Sequence, residues 1–116
     1  MSKYFSIDEM KCPCCGICKM DNHFMEMLDS LRKSVGQPLS VNSGYRCPKH
    51  DAEVGGEGNH TQGEAVDIIC GNSVLRFLII FGALQLGFKR IGIAKTFIHL
   101  DLCLDAERPQ KVIWLY

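Results

Sequence analysis

The sequence lacks an excess of either charge, since 13 lysines and arginines face 13 aspartates and glutamates. No basic field is therefore present to hold a nucleic-acid backbone or an anionic membrane surface. A membrane-length apolar run is missing too: the longest, Val74 to Leu86, is broken by Arg76 and Gln85 and falls short of the roughly 20 residues a bilayer needs. It reads as a buried helix. The first residues, MSKYFSIDEMKC, carry Asp8 and Glu9 and do not form a secretory leader. Synthesis in the cytoplasm is expected. Repeats, linkers and low-complexity tracts are also missing, and 116 residues leave room for one core. We expect a single domain over residues 1–116 and a monomer that binds no nucleic acid and inserts in no membrane.

What is present is ordinary globular composition, 47% hydrophobic and 22% charged, in an α+β order. Asp21 is a good N-cap, and Phe24, Met27, Leu28, Leu31 and Val35 recur at helical spacing until Gly36 and Pro38 stop the pattern. Leu39 to Asn42 reads as a short strand, and the Gly-rich stretch from Ser43 to Asn59 as a loop. Glu64 to Cys70 alternates as a strand, Asn72 caps a second helix ending at Gly87, and three strands are expected at Phe88–Ile93, Thr96–Leu102 and Lys111–Tyr116. The expected architecture is two main helices on a small, mostly antiparallel sheet.

Metal-binding side chains gather in two short motifs. In HTQGEAVDI, His60 and Asp67 stand across a loop-to-strand junction; in TFIHLDL, His99 and Asp101 share one face of a strand. Two imidazoles and a carboxylate form a three-ligand set that leaves the fourth tetrahedral position of zinc open to water and substrate. Taken singly, each residue has a plainer reading, His99 as a half-buried strand polar group above all.

The joint pattern is more specific. SGYRCPKH (Ser43–His50), VGG (Val54–Gly56), HTQGEAVDI (His60–Ile68) and FIHLDL (Phe97–Leu102) together resemble the zinc D-Ala-D-Ala peptidase superfamily. That group includes D,D-carboxypeptidases, vancomycin-resistance dipeptidases, phage endolysins that cut L-Ala-D-Glu bonds, and the hedgehog amino-terminal fold. The resemblance spans nearly the whole chain. It implies a zinc cleft on the sheet with His60, Asp67 and His99 at the metal, and a metallopeptidase acting on peptidoglycan stem peptide at the cell wall after release from the cell, as phage or prophage endolysins do. It makes Arg46 the substrate-binding, transition-state-stabilising cation, with Ser43 and Tyr45 as further substrate contacts, although Tyr45 equally suits the core or the site wall. A guanidinium can fork onto a carboxylate or a developing oxyanion. Gly63 and Ala65 are small where strand and metal loop must pack closely.

The sequence departs from the family pattern at the general base. Thr96 stands where many members carry Glu or Asp three residues before the last His, and Phe97 where others carry a second His. Asp101 is then the candidate base, with orientation of the His99 ring as its alternative role, and Glu64 is the fallback. A non-catalytic zinc-binding or virion structural module on the same fold is the rival reading.

Seven cysteines are present, four of them at Cys12, Cys14, Cys15 and Cys18 in CPCCGIC. They could chelate a structural zinc, remain free thiols, or form disulfides, and only Cys47 is placed to add a distant thiol. Cys70 and Cys103 read as small buried hydrophobes, His23 and His50 as surface residues, and Trp114 as core or cleft wall.

Overall fold

The computed structural model describes residues 2–56, 58–103 and 108–116. Local signals set the long helices. Helix α2 (Asn22–Val35) begins where the Asp21 carboxylate accepts from the Phe24 amide at 2.8 Å and ends at Gly36, whose φ of 80° a side chain would disfavour. Helix α4 (Ser73–Leu86) starts in the same way at Asn72 and stops at Gly87. Two shorter helices accompany them. Helix α1 (Ile7–Met10) is closed by a reciprocal Ser6–Glu9 capping box. Helix α3 (Pro48–Glu53) lies inside the segment expected to be a loop. Its signal was Cys47-Pro48, a side-chain cap followed by proline at the first helical position.

The strands are β1 (Val41–Ser43), β2 (Ala65–Ile69), β3 (Arg90–Ile93), β4 (Phe97–Asp101) and β5 (Val112–Leu115). They form one sheet in the order β1-β2-β4-β3-β5, antiparallel except for the parallel pair β3 and β5. The α+β expectation therefore holds, with two helices added.

Side-chain alternation divides the sheet into two unlike faces. Val66, Ile68, Ile91, Ile98 and Leu100 join Phe24, Leu28, Leu31 and Ile79 of α2 and α4 in the hydrophobic core. Each such side chain, fully buried, contributes about 1.5–3 kcal/mol by area. Phe24 and Phe88 meet edge to face, with centroids 5.9 Å apart. The opposite face carries Asp67, His99, Asp101, Arg90 and Trp114. Register aligns Ser43, Asp67, His99, Gly92 and Trp114 in one row across all five strands. The neighbouring row holds Ala65, Asp101, Arg90 and Val112.

Helix α4 is not the buried helix its composition suggested. Ile79 and Ala83 are buried, but Val74, Phe77, Phe81 and Leu84 are exposed, and the Phe77 and Phe81 rings stack at 5.7 Å. A sequence this apolar all round cannot show which face meets the sheet. Among the described residues no helix is long and apolar enough to cross a membrane.

Candidate metal centre

The polar face opens into a cleft of about 700 Å³ whose wall includes Arg46, Asn59, His60, Asp67, Arg90, His99 and Trp114. Asp67 and His99 are direct cross-strand partners on β2 and β4. His60 arrives from a 3-10 turn, His60–Gln62, that leads into β2. The turn ends at Gly63 with φ of 72°, and a Cβ there would run into the Lys19 carbonyl. The Gly63 carbonyl also accepts from the Asp21 amide at 2.9 Å. The turn is thus fastened to the start of α2, and the tight-packing role expected of Gly63 is visible as a backbone contact.

One ring nitrogen from each histidine and one Asp67 oxygen lie within 4.8 Å of one another, and all three residues are buried. Their remaining atoms fix their orientation. His60 Nδ1 lies 2.7 Å from the Gly44 carbonyl; a carbonyl can only accept, so Nδ1 donates and Nε2 is the nitrogen turned to Asp67 Oδ2, at 3.5 Å. His99 turns Nδ1 to Asp67 Oδ1 at 2.8 Å and Nε2 to Asp101 Oδ2 at 2.6 Å. Donation from Nε2 to Asp101 leaves Nδ1 for a cation beside Asp67. The donor set therefore fits a divalent metal: two oriented imidazoles and an ionised carboxylate converge at a cleft wall.

The charges agree with that fit. Burial alone would raise the Asp67 carboxyl, but hydrogen bonds and charge from His60 and His99 outweigh it and hold the group well below the usual carboxylate range. Burial would lower His99; Asp101 and Asp67 reverse this and raise it to about 8.

The structure separates the other expected site residues by position. Arg46 lines the cleft, held by three partners: Ser43 Oγ at 3.0 Å, Asp51 Oδ1 at 3.1 Å and Asp67 Oδ2 at 3.2 Å. Ser43 thus meets Arg46 and does not line the main cleft. Tyr45 does not face the cleft either. It is buried, its phenol raised first by burial and then by the nearby Cys47, Cys15 and Cys12 sulfurs. The alternation that sends Arg46 outward sends Tyr45 inward, so the core reading applies to it.

Asp101 likewise stands behind the histidine, outside the cleft lining. It is fully buried and accepts from His99, from Arg90 Nε at 2.8 Å, from the Cys103 amide at 3.0 Å and from Asn59 at 3.3 Å. Burial raises its carboxyl, but His99, the Cys103 amide and Arg90 lower it more. So placed, the carboxylate faces the His99 ring and Arg90 and not the cleft. Glu64 is half-buried off the cleft, its carboxyl raised by burial and then by Asp21 and Asp101.

Three contributors had not been picked out from sequence. Asp51 is buried on α3, binds Arg46 and accepts from the Gly58 amide at 3.1 Å. Gly56 lies against its carboxylate so closely that any side chain would collide, and Gly55 takes a left-handed φ of 74°, which together account for the glycines of VGG. Arg90 pairs with Asp101 and sits under Trp114 at 5.1 Å. Asn59 bridges the loop to Asp101. A capped α3 would have pointed to Asp51; Arg90 and Asn59 become visible only once strand pairing is known. Trp114 forms cleft wall, its ring 5.6 Å from His99.

No curated protein matches the sequence. A model of the Peptidase M15 family matches residues 3–101, a span that holds β1 to β4, the three convergent ligands and Arg46. The chain belongs to the Peptidase M15 family.

Proposed function

We propose that the protein is a zinc metallopeptidase hydrolysing an amide bond of peptidoglycan stem peptide, as a D-Ala-D-Ala carboxypeptidase or an L-Ala-D-Glu endopeptidase of endolysin type. The observation that carries this reading is the convergence of His60, Asp67 and His99 at the wall of an open cleft with Arg46 beside them. The chemistry that zinc supplies at such a set is polarisation of the scissile carbonyl and activation of a water.

The chain's own residues do the rest. Gly44 and Asp101 hold the two imidazoles with their other nitrogens turned to Asp67. Asp51 and Ser43 aim the Arg46 guanidinium across the cleft, where its outer N–H groups can bind a peptide carboxylate or the oxyanion that develops during attack. Trp114 and Phe97 give the cleft an apolar wall for the stem-peptide side chains. Asp101 serves as a positioning residue.

One observation favours the rival, a non-catalytic module on the same scaffold: among the described residues, Asp67 is the only carboxylate lining the cleft. Incubating purified protein with defined muropeptides and reading product masses tests the two. The proposal expects one mass pair from a single amide cleavage, lost in Asp67→Ala. Intact muropeptides with full zinc would establish the rival.

A further inference from the structure

The protein holds a second cluster of metal-ligating side chains that the cleft does not use. Cys12, Cys14, Cys15 and Cys47 bring their sulfurs within 4.8 Å of one another. Cys14 Sγ and Cys47 Sγ are 3.7 Å apart. Four thiolates about 2.3 Å from a central zinc stand about 3.8 Å from each other along the edges of a tetrahedron. Cys18 stays out of the group and packs against the hydrophobic core. The distant Cys47 takes the place that spacing alone would give to Cys18.

The backbone around these sulfurs is shaped for thiolates. A tight turn runs from Cys12 to Ile17, closed by Gly16 N–H to the Cys12 carbonyl at 2.8 Å and Cys12 N–H to the Ile17 carbonyl at 2.7 Å. Gly16 supplies the left-handed residue that the turn needs, with φ of 75°. The His50 amide donates to Cys47 Sγ at 3.4 Å as Cys47 caps α3. Amide donors aimed at sulfur stabilise the ionised ligand.

We propose that Cys12, Cys14, Cys15 and Cys47 form a four-thiolate structural zinc site, separate from the cleft. Four protein ligands close the tetrahedron and leave no position for substrate, which makes this site structural. Each thiol that binds gives its proton to solvent, and no redox change is involved. The site staples the Cys12–Cys15 turn to the segment Ser43–Cys47, whose backbone is already tied to the turn by Tyr45 N–H to the Met10 carbonyl at 2.7 Å. Gly44 in that segment leaves no room for a Cβ against Met10, and its carbonyl orients His60. Zinc at the cysteines therefore fixes the segment after β1 that carries Arg46. The inference stands on the cysteine geometry and holds whether or not the cleft is catalytic.

The test is a zinc count joined to thiol mapping on the intact chain, purified in reductant with zinc supplied. Asp67→Ala, which removes the cleft site, should retain one zinc per chain. Cobalt in place of that zinc should give the intense thiolate-to-metal charge-transfer absorption of a tetrahedral thiolate site. Cys14 and Cys15 are exposed, yet should resist alkylation until a strong chelator is added, while the half-exposed Cys18 and Cys103 react throughout. Cys14→Ser/Cys15→Ser should lose one zinc relative to wild type; if that variant fails to fold, the Asp67→Ala spectrum and the alkylation pattern still decide. An Asp67→Ala chain free of zinc, immediate alkylation of Cys14 and Cys15, an iron–sulfur chromophore, or a mass showing disulfides among the four would each overturn the proposal.

Discussion

The two ligand clusters are built on opposite principles. His60, Asp67 and His99 sit on the sheet and the turn feeding it, where strand register sets their spacing and partners such as Gly44 and Asp101 set their angles. The cysteines sit on short irregular segments, where a glycine turn and the His50 amide do that work. Three protein ligands at an open cleft leave room for chemistry; four thiolates leave none. In a small domain with limited core, a site of the second kind would add rigidity and one of the first would carry activity.

The comparison breaks most sharply at Asp67. Asp67→Ala should abolish amide hydrolysis and remove zinc from the cleft while the thiolate zinc stays; product masses and metal analysis check both. Loss of both metals together would overturn the separate thiolate site.

Arg46 comes next, and here the structure changes the expectation. Its position in a loop suggested a residue that acts on substrate and not on folding. The guanidinium instead neutralises the buried Asp51, so Arg46→Ala leaves that carboxylate unpaired, at a cost of about 3 kcal/mol. Turnover should also fall about a hundred- to a thousandfold. Arg46→Ala/Asp51→Asn should recover much of the melting temperature without recovering turnover. Recovery of both would make Arg46 structural alone.

Asp101→Asn has a smaller expected effect. As an orienting partner of His99, Asp101 should change zinc affinity at the cleft by roughly ten- to a hundredfold, read from competition with a chelator. A rate loss with unchanged affinity would return it to the role of base.

The smallest effect is a pH dependence of the zinc-free cleft. His99 is raised from 6.5 to about 8 in the folded chain. Its contribution, on the order of 2 kcal/mol, is complete below about pH 6.5 and is lost as pH rises through about 8. Denaturant midpoints of zinc-free protein should fall across that window more steeply than those of His99→Gln. Parallel slopes would contradict the charge arrangement.

Much of this was legible in the sequence, for identifiable reasons. Asp21, Gly36, Asn72 and Gly87 are local signals, so the long helices were readable within a residue or so. His60, Asp67 and His99 were marked by motif, and the structure brings all three together. What could not be read depends on tertiary pairing. The cross-strand meeting of Asp101 with Arg90, the inward turn of Tyr45 and the absence of Cys18 from the thiol cluster are set by which segments meet, and no local pattern encodes that. Helix α3 is different: its cap-and-proline signal was present at Cys47-Pro48 but was outweighed by the surrounding glycines and charges.

The most direct test of the central account is an anomalous difference map at the zinc edge from crystals of the intact protein. The account predicts a peak bounded by His60 Nε2, an Asp67 oxygen and His99 Nδ1, with its fourth side open to the cleft. Zinc-loaded crystals with no density there, or with the peak held by a fourth protein ligand, would contradict it.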